Sequence, residues 1–373
     1  MQFRGCGTAL VTPFRQDGSI DETALRNLVG WQVESGIDFL VPCGTTGETP
    51  TLSHDEWLQV ISITVEVVAG RVPIVAGATS NSTQDAVDKA KELTALPGVN
   101  GILTASPYYN KPTQEGQYRH FRAIAEVVDK PIILYNVPGR TGANIEPGTL
   151  ARLAEVPNIA GVKEASGNIS QMAEVCNVVP ESFAVLSGDD AITLPLIALG
   201  GVGIISVASN EIPREMTEMT RAALNNDWET ARRIHRKYLP LMQANFIESN
   251  PLPVKAVLAM MNKIEELYRL PMLPMRRDTR SRLQKIAAEA GLIAKAAAPE
   301  TVDFYVYENW LAGPHKIVLH RSSCGQCNHG KGRPAGHDAN HARWHGPFAS
   351  LSEAREASQQ LPNILIRSEC KCI

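Results

Sequence analysis

Short apolar runs alternate with longer amphipathic stretches over the first 226 residues of this chain. Eight of the runs have the length and the near-continuous apolar character of strands that are buried on both faces of a parallel sheet. These predicted strands span residues 7–11, 39–43, 74–78, 101–105, 132–136, 159–163, 184–187 and 203–207.

Amphipathic stretches between the strands predict helices at 21–35, 53–69, 82–95, 113–128 and 168–179. Asp21 and Ser53 are suited to cap the first two helices, and Glu56 completes a capping box with Ser53. Eight strands, each followed by a helix at a spacing of about 30 residues, predict an α/β fold of the (β/α)8 TIM-barrel type. A doubly wound open sheet shows the same alternation, but no Gly-x-Gly-x-x-Gly fingerprint follows the first strand.

Beyond the predicted barrel of residues 1–226, the pattern changes twice. Residues 227–293 read as a helical annex, with helices at 227–244, 253–267 and 278–290, and residues 294–300 read as a linker. Residues 301–373 predict a small β-rich, Cys/His-containing domain. Its strands are expected at 302–307, 316–320 and 364–367, and its helix at 350–360, capped by Ser350 or Ser352.

Composition indicates a globular protein and excludes some partners. Of 373 residues, 44% are hydrophobic, and 36 basic side chains oppose 39 acidic ones, so there is no cationic excess to bind nucleic acid. Residues 191–210 carry no charge and are long enough to span a membrane, but Pro195 and three glycines interrupt them, which favours a buried helix and strand. With no secretory signal at the Met1 end, we expect a soluble cytoplasmic protein that makes no contact with membranes.

Active sites of (β/α)8 barrels form at the carboxyl ends of the strands, and Lys163 closes the sixth predicted strand. A lysine there loses hydration, which favours the neutral, nucleophilic amine. That amine can condense with a ketone, and the resulting iminium accepts the electrons of a neighbouring carbanion. The alternative is a structural lysine that pairs with Glu164 at the barrel rim.

Polar residues follow other predicted strands in the same way. Tyr135, Tyr109 and Thr45 carry hydroxyls that could relay a proton, although a tyrosine on a barrel strand is more often part of the core. The Gly44–Gly47 turn offers N–H groups and hydroxyls to a carboxylate, and Arg140 could bind one bidentately. Such turns are common, and loop arginines usually face water.

Six short motifs occur in a specific order along residues 1–293. They are GTTGE at 44–48, PYYN at 107–110, YNVPGRTG at 135–142, GVKEASGN at 161–168, LSGDD at 186–190 and NPLPVK at 250–255. Together they closely resemble the 4-hydroxy-tetrahydrodipicolinate synthase (dihydrodipicolinate synthase) family of pyruvate-dependent class I aldolases. Related aldolases such as N-acetylneuraminate lyase share the lysine and the tyrosine, but Arg140 and the paired Thr45 and Thr46 favour the synthase.

The resemblance implies condensation of pyruvate with L-aspartate 4-semialdehyde, in diaminopimelate and lysine biosynthesis. Lys163 would form the Schiff base with pyruvate, and Tyr135 would be the general acid/base. Thr45, Tyr135 and Tyr109 would form the proton relay, with Tyr109 reaching the site of a neighbouring subunit in a homotetramer.

The same resemblance implies how the substrates are held. Thr46 would bind the pyruvate carboxylate, assisted by Gly188 and the Ile205 backbone, and Arg140 would bind the carboxylate of the semialdehyde. Catalysis in the family requires no metal or organic cofactor. A non-catalytic ligand sensor on the same scaffold would be favoured by missing site residues, and none of the expected ones is missing.

The resemblance also implies a pocket for feedback inhibition by lysine. Trp57 stands where some inhibited members carry a second histidine, so we expect weak or absent inhibition; loss of turnover at micromolar lysine would contradict this. The pocket would be lined by Thr49, Pro50, His54, Trp57, Asn81, Asp85 and Tyr108.

The last 75 residues lie outside the family pattern. Cys324, Cys327, Cys370 and Cys372 could supply four thiolates to a structural zinc ion, with His320 or His329 as substitutes. Free thiols or a disulfide are the alternative, because Cys-x-Cys is an unusual second half for such a site. A protein-interaction role for this domain also stays open.

Overall fold

The computed structural model describes residues 3–294, 303–309, 316–324, 327, 342–361 and 366–371. The chain divides into two compact units, Met1–Ala294 and Lys295–Ile373.

The first unit is built on an eight-stranded parallel sheet whose order is β2-β1-β8-β7-β6-β5-β4-β3. A parallel bridge between Leu40 and Ile74 joins β2 to β3 and brings the ends of this sheet together. The predicted (β/α)8 barrel is confirmed, and the open doubly wound sheet is excluded because its edge strands would not meet. The strands are β1 Gly5–Ala9, β2 Phe39–Val41, β3 Val75–Gly77, β4 Gly101–Ala105, β5 Ile132–Asn136, β6 Ile159–Glu164, β7 Ala184–Ser187 and β8 Gly203–Ser206.

The strands are apolar throughout because both of their faces are covered. Along β5, Ile133 and Tyr135 belong to the cluster that fills the barrel, whereas Ile132 and Leu134 belong to the larger cluster beneath the helices. Successive side chains of a strand point to opposite faces, so residue parity alone assigns each position to the interior or the outer layer. By the same rule, Lys163 and Gly161 point to the same face of β6.

Twelve helices accompany the barrel in the described part of this unit. Asp21 and Ser53 cap α1 and α2 as predicted, and Glu56 completes the capping box. Their bounds are α1 Glu22–Glu34, α2 His54–Val68, α3 Thr83–Ala95, α4 Gln114–Ala125, α5 Pro138–Thr141, α6 Pro147–Ala154, α7 Ile169–Val178, α8 Thr193–Ala198, α9 Pro213–Leu224, α10 Trp228–Ala244, α11 Leu252–Met260 and α12 Arg277–Glu289.

The prediction of one helix over 253–267 is wrong. Helix α11 ends at Met260, where the Asn262 N–H donates to the Ala259 carbonyl and the Lys263 N–H donates to the Leu258 carbonyl. Asn262 is left-handed, at φ 58°, and these two bonds form a Schellman motif that closes the helix. The apolar residues beyond it pack as irregular chain.

Residues 191–210 form a short turn, helix α8 and strand β8, as the buried interpretation predicts. Among the described residues, no helix combines the length and the apolar character needed to cross a membrane.

The described residues of the second unit form a four-stranded sheet of order β11-β9-β10-β12 and one helix. β9 pairs antiparallel with β10 and with β11, and β10 pairs parallel with β12. Strand β11 was not predicted, because it contains Gly346-Pro347 and lacks a β-branched alternation. Ser350 caps the helix, which was one of the two predicted alternatives. The elements are β9 Phe304–Asn309, β10 Lys316–Arg321, β11 Ala342–Phe348, α13 Leu351–Gln360 and β12 Ile366–Glu369.

Candidate active site

A cavity of about 490 Å³ opens at the carboxyl ends of strands β5 to β8. This is the end of a (β/α)8 barrel at which ligands bind. Five of the predicted site residues contribute to its wall, and they come from separate segments of the chain: Thr46, Tyr135, Arg140, Lys163 and Gly188. Its other polar residues were not predicted as site residues: Asp189, Glu248, Ser249 and Asn250.

Lys163 lies in the wall of this cavity with only 5% of its surface exposed. Its partner in the β5–β6 register is Tyr135, and its Nζ stands 4.3 Å from the centre of the Tyr135 ring. The side chain of Glu164 points elsewhere, because its carboxylate accepts hydrogen bonds from Asn136 Nδ2 at 2.9 Å and from the Ser166 N–H at 2.7 Å. Lys163 is therefore not the partner of a rim carboxylate but an amine beside a tyrosine.

The space around the Lys163 amine depends on Gly188, which follows β7. A methyl group at this position would come within 3.2 Å of Lys163 Cε and within 2.6 Å of Ala165 Cβ. Any larger residue would push the lysine stem or the Ala165 segment out of place. Gly188 thus leaves room for a small molecule directly beside the amine.

Asn250, which was not predicted as a site residue, connects two predicted carboxylate-binding residues. Its Nδ2 donates to Thr46 Oγ1 at 2.9 Å, and its carbonyl accepts from Arg140 Nη2 at 3.2 Å. Its buried Oδ1 has no hydrogen-bond partner among the described residues. Its place in the NPLPVK motif could have marked Asn250 as a site residue. Its contact with Thr46 could not have been predicted, because no sequence spacing connects residues 250 and 46.

A buried ion pair fastens the loop that carries Thr46. Lys255 Nζ lies 2.6 Å from Glu48 Oε1, and both side chains are almost wholly inaccessible to solvent. Lys255 also donates to the Thr12 carbonyl at 3.0 Å, and burial lowers its pKa. The pair joins the GTTGE motif to the NPLPVK motif, whose Lys255 lies on helix α11.

Asp190 organises the neighbouring end of β8. Its carboxylate accepts hydrogen bonds from the Ser206 hydroxyl at 2.5 Å and from the Val207 and Ala208 N–H groups at 3.1 Å each. Burial raises its pKa to about 6, although these three donors favour the charged form. Asp190 therefore holds the backbone behind the cavity and does not face into it.

Three predicted residues lie outside the cavity wall. Thr45 is half-buried in the turn Thr45–Gly47, and Ile205 is fully buried in the barrel core. Tyr109 is 89% exposed, and its φ of 72° places a bulky residue in the left-handed region. Non-glycine residues held in the left-handed region cluster at functional sites, so the conformation of Tyr109 is consistent with a functional role.

The residues assigned to a lysine pocket lie around the start of α2 and α3 and the loop after β4. Trp57 is buried, and its indole N–H donates to the Gly77 carbonyl at 2.9 Å.

The other residues assigned to this pocket contact their own neighbours. His54 Nε2 lies 3.2 Å from Glu92, and the Asn81 carbonyl accepts a hydrogen bond from the Asn110 side chain. Tyr108 is 38% exposed. Asp85 lies in the first turn of α3, and Thr49 donates to the Gly44 carbonyl.

In the second unit, the structure brings together His320, Cys324 and Cys370. Cys327 is buried in the turn that follows Cys324 but is not part of this group, and Cys372 and His329 lie outside the described residues. Two of the four predicted thiolates and the substitute ligand His320 therefore lie together among the described residues, and the four-thiolate set stays a prediction.

Comparison with known proteins agrees with the geometry of the barrel. Residues 2–290 match the dihydrodipicolinate synthetase family. The 4-hydroxy-tetrahydrodipicolinate synthase of Koribacter versatilis is 71% identical over 300 residues, which cover 80% of this chain and all of that protein.

Solved structures are similar over the same part of the chain. Dihydrodipicolinate synthase from Aquifex aeolicus is 43% identical, with a TM-score of 0.76, and the match covers 79% of this chain and 100% of that one. A monomeric dihydrodipicolinate synthase variant is also 43% identical, with a TM-score of 0.77, over 78% of this chain and 98% of that one. With its barrel, its buried lysine and these matches, the chain belongs to the dihydrodipicolinate synthetase family.

Proposed function

We propose that this protein condenses pyruvate with L-aspartate 4-semialdehyde to give 4-hydroxy-tetrahydrodipicolinate, a step of diaminopimelate and lysine biosynthesis in the cytoplasm. The observation that carries the proposal is the Lys163 amine, buried beside Tyr135 in a cavity of small-molecule size. The extensive identity with proteins named for this reaction supports it further.

Lys163 is proposed to attack the keto carbon of pyruvate through its neutral amine. Water leaves as the iminium forms, and the iminium then accepts electrons when a proton leaves the pyruvate methyl group. The enamine carbon attacks the aldehyde of the second substrate. The amino group of that substrate finally displaces Lys163 from the iminium carbon, which closes the ring and regenerates the free amine, with one water released overall.

Tyr135 is proposed to carry the protons of these steps, because its ring already lies against the Lys163 amine. Thr45 and Tyr109 would continue the relay towards solvent. In this proposal Tyr109 belongs to the site of a neighbouring subunit of a homotetramer, an arrangement that its 89% exposure within one chain allows.

The carboxylate groups of the two substrates require two anion sites. We assign the pyruvate carboxylate to Thr46 with the backbone of Gly188 and Ile205, and the semialdehyde carboxylate to Arg140. The Asn250 bridge supports this assignment because it holds the Thr46 hydroxyl and the Arg140 guanidinium in one network. The reaction needs no metal or organic cofactor, and the zinc suggested by the cysteines belongs to the second unit.

A coupled assay tests the reaction. Pyruvate and L-aspartate 4-semialdehyde are supplied, and dihydrodipicolinate reductase reports the product through loss of NADPH. We expect steady turnover that falls by about 10³-fold or more in Lys163→Ala, the scale of effect when a covalent nucleophile is removed. Lys91→Ala, which changes an exposed lysine of α3, is the matched control and should retain the wild-type rate.

Borohydride trapping separates the two halves of the proposal. Reduction in the presence of pyruvate alone should leave a covalent adduct on Lys163, detected by peptide mass spectrometry. An adduct without turnover would assign the chain to another acceptor. Absence of any adduct on folded protein would contradict the Schiff-base mechanism itself.

A further inference from the structure

Two neighbouring strands of the second unit bring three potential metal ligands to one place. β10 and β12 run parallel, with Leu319 opposite Glu369, so the residues that follow each position lie side by side. The Cys370 N–H donates to the Leu319 carbonyl at 2.9 Å, which fixes Cys370 beside His320. The turn after β10 then returns Cys324 to the same end of the sheet, through a bond from its N–H to the Arg321 carbonyl.

The distances within this group fit a tetrahedral metal site. Cys324 Sγ lies 3.8 Å from Cys370 Sγ and 3.3 Å from His320 Nδ1, and one ligand atom from each residue lies within 4.8 Å of the others. Zinc bonds of about 2.3 Å to sulfur and about 2.0 Å to nitrogen at tetrahedral angles separate two sulfurs by about 3.8 Å and a sulfur from a nitrogen by about 3.5 Å. A disulfide would bring the two sulfurs to about 2.05 Å.

The surroundings of the group favour a structural ion. His320 is buried, and the edge of its ring contacts Trp344, with the two ring centres 5.4 Å apart. The described apolar cluster of this unit has four buried side chains, Val306, Ile317, Leu319 and Ala354, and four partly buried ones, Phe304, Phe348, Leu351 and Leu361. Domains of about 75 residues are often stabilised by a metal or a covalent cross-link.

We propose that His320, Cys324 and Cys370 bind a zinc ion that stabilises the second unit. Two soft thiolates and an imidazole are a ligand set that zinc prefers. Binding replaces the proton of each thiol with the metal, so two protons leave as the ion enters. The proposal is independent of the reaction assigned to the barrel, because none of its three ligands belongs to that unit.

Metal analysis of the full-length protein tests this directly. Protein purified under reducing conditions with added zinc should retain about one zinc ion per chain. His320→Ala, Cys324→Ser and Cys370→Ser should each lose it. Cys176→Ser, which changes a half-buried cysteine of α7, is the matched control and should keep the full zinc content.

Cobalt gives a readout that does not depend on variants that fold poorly. Wild-type protein loaded with Co²⁺ should show sulfur-to-metal charge-transfer absorption in the near ultraviolet. Cys370→His should still bind the metal, with weaker absorption, because a nitrogen replaces one thiolate. Turnover in the coupled assay should be unchanged in these variants, which reports that the barrel is intact.

Three results would overturn the proposal. One is wild-type protein that binds no zinc in stoichiometric amount when its cysteines are reduced. Another is zinc content that persists in both Cys324→Ser and Cys370→Ser. The third is a Cys324–Cys370 disulfide, found by intact and peptide mass spectrometry, in wild-type protein that was isolated without metal.

Discussion

The β-sheets of the two units differ in the interactions that stabilise them. In the barrel, helices cover the outside and interlocking side chains fill the inside, so every strand is buried on both faces. In the described part of the second unit, one helix packs against a four-stranded sheet, and the apolar cluster has four buried side chains with four partly buried ones against it. We therefore expect the second unit, unlike the barrel, to depend on the proposed zinc ion for its stability.

The contrast extends to the charged groups that each unit buries. The barrel encloses the Lys255–Glu48 pair completely, because the surrounding packing forces the two groups together in a site without water. In the second unit, His345 Nε2 lies 2.6 Å from Glu308 Oε2, with 24% of the histidine side chain and 10% of the glutamate side chain exposed. The ion pair of the barrel is thus shielded from solvent, whereas the His345–Glu308 contact keeps partial access to water, which screens it.

Removal of metal should give the largest difference between the units. We expect a chelator, applied under reducing conditions, to abolish amide-exchange protection in β9 to β12 and to leave β1 to β8 protected. Structural zinc contributes on the order of 10 kcal/mol in small domains, which is comparable to the whole stability of a typical domain. Unchanged protection of β10 and β12 after metal loss would contradict the comparison.

Breaking the buried ion pair should produce the next largest effect, confined to the barrel. Lys255→Met leaves Glu48 charged and buried, which should cost about 3–5 kcal/mol of the free energy of unfolding. The double variant Glu48→Gln with Lys255→Met should recover much of that loss, since no charge remains buried. The denaturant midpoint of the barrel transition measures the stability of both variants. If Lys255→Met were as stable as wild type, the ion pair would not contribute to the stability of the barrel.

A pH series on Glu56 should give a smaller effect. The Arg269 guanidinium lowers the pKa of Glu56 from about 4.5 to about 2, so the pair stabilises the fold above pH 4.5 and loses this contribution as pH falls towards 2. Glu56→Gln should therefore cost about 1–2 kcal/mol at pH 7, allowing for partial exposure, and less at pH 3.5.

Glu369→Gln is the corresponding change in the second unit, because Glu369 pairs with Arg355. That pair is exposed, so its removal should shift stability less than removal of the Glu56 pair at the same pH. Urea midpoints at pH 7, 5 and 3.5 would compare the two. If Glu56→Gln lowered the free energy of unfolding more at pH 3.5 than at pH 7, the predicted pH dependence of the ion pair would be wrong.

Removal of the second unit should have the smallest effect on catalysis. Lys163, Tyr135 and every other proposed site residue lie in the first unit. A chain cut after Ala298 should therefore keep the condensation rate within about twofold of the full-length rate in the coupled assay. A large loss of rate without a change in oligomeric state would show that the second unit acts on the site.

The pattern of the chain alone determined much of the barrel. The strands of the fold were identified because apolar runs and amphipathic stretches differ in period, and β4, β5 and β7 have the predicted bounds. Lys163 was found because the end of a barrel strand is a functional position. Helices α6 and α9 were not predicted. Helix α11 was predicted too long, because the Schellman bonds after Met260 depend on local backbone geometry that hydropathy does not report.

Tertiary structure decided the contacts between distant segments. Asn250 meets Thr46 across 204 positions and Lys255 meets Glu48 across 207, and no periodicity relates such residues. In the second unit, the pairing of β10 with β12 places His320 beside Cys370, and the turn after β10 brings Cys324 to them, whereas spacing alone had offered all four cysteines with His320 as a substitute. Sequence fixes local conformation because it acts through neighbouring residues, whereas a site depends on which strands become adjacent when the sheet closes.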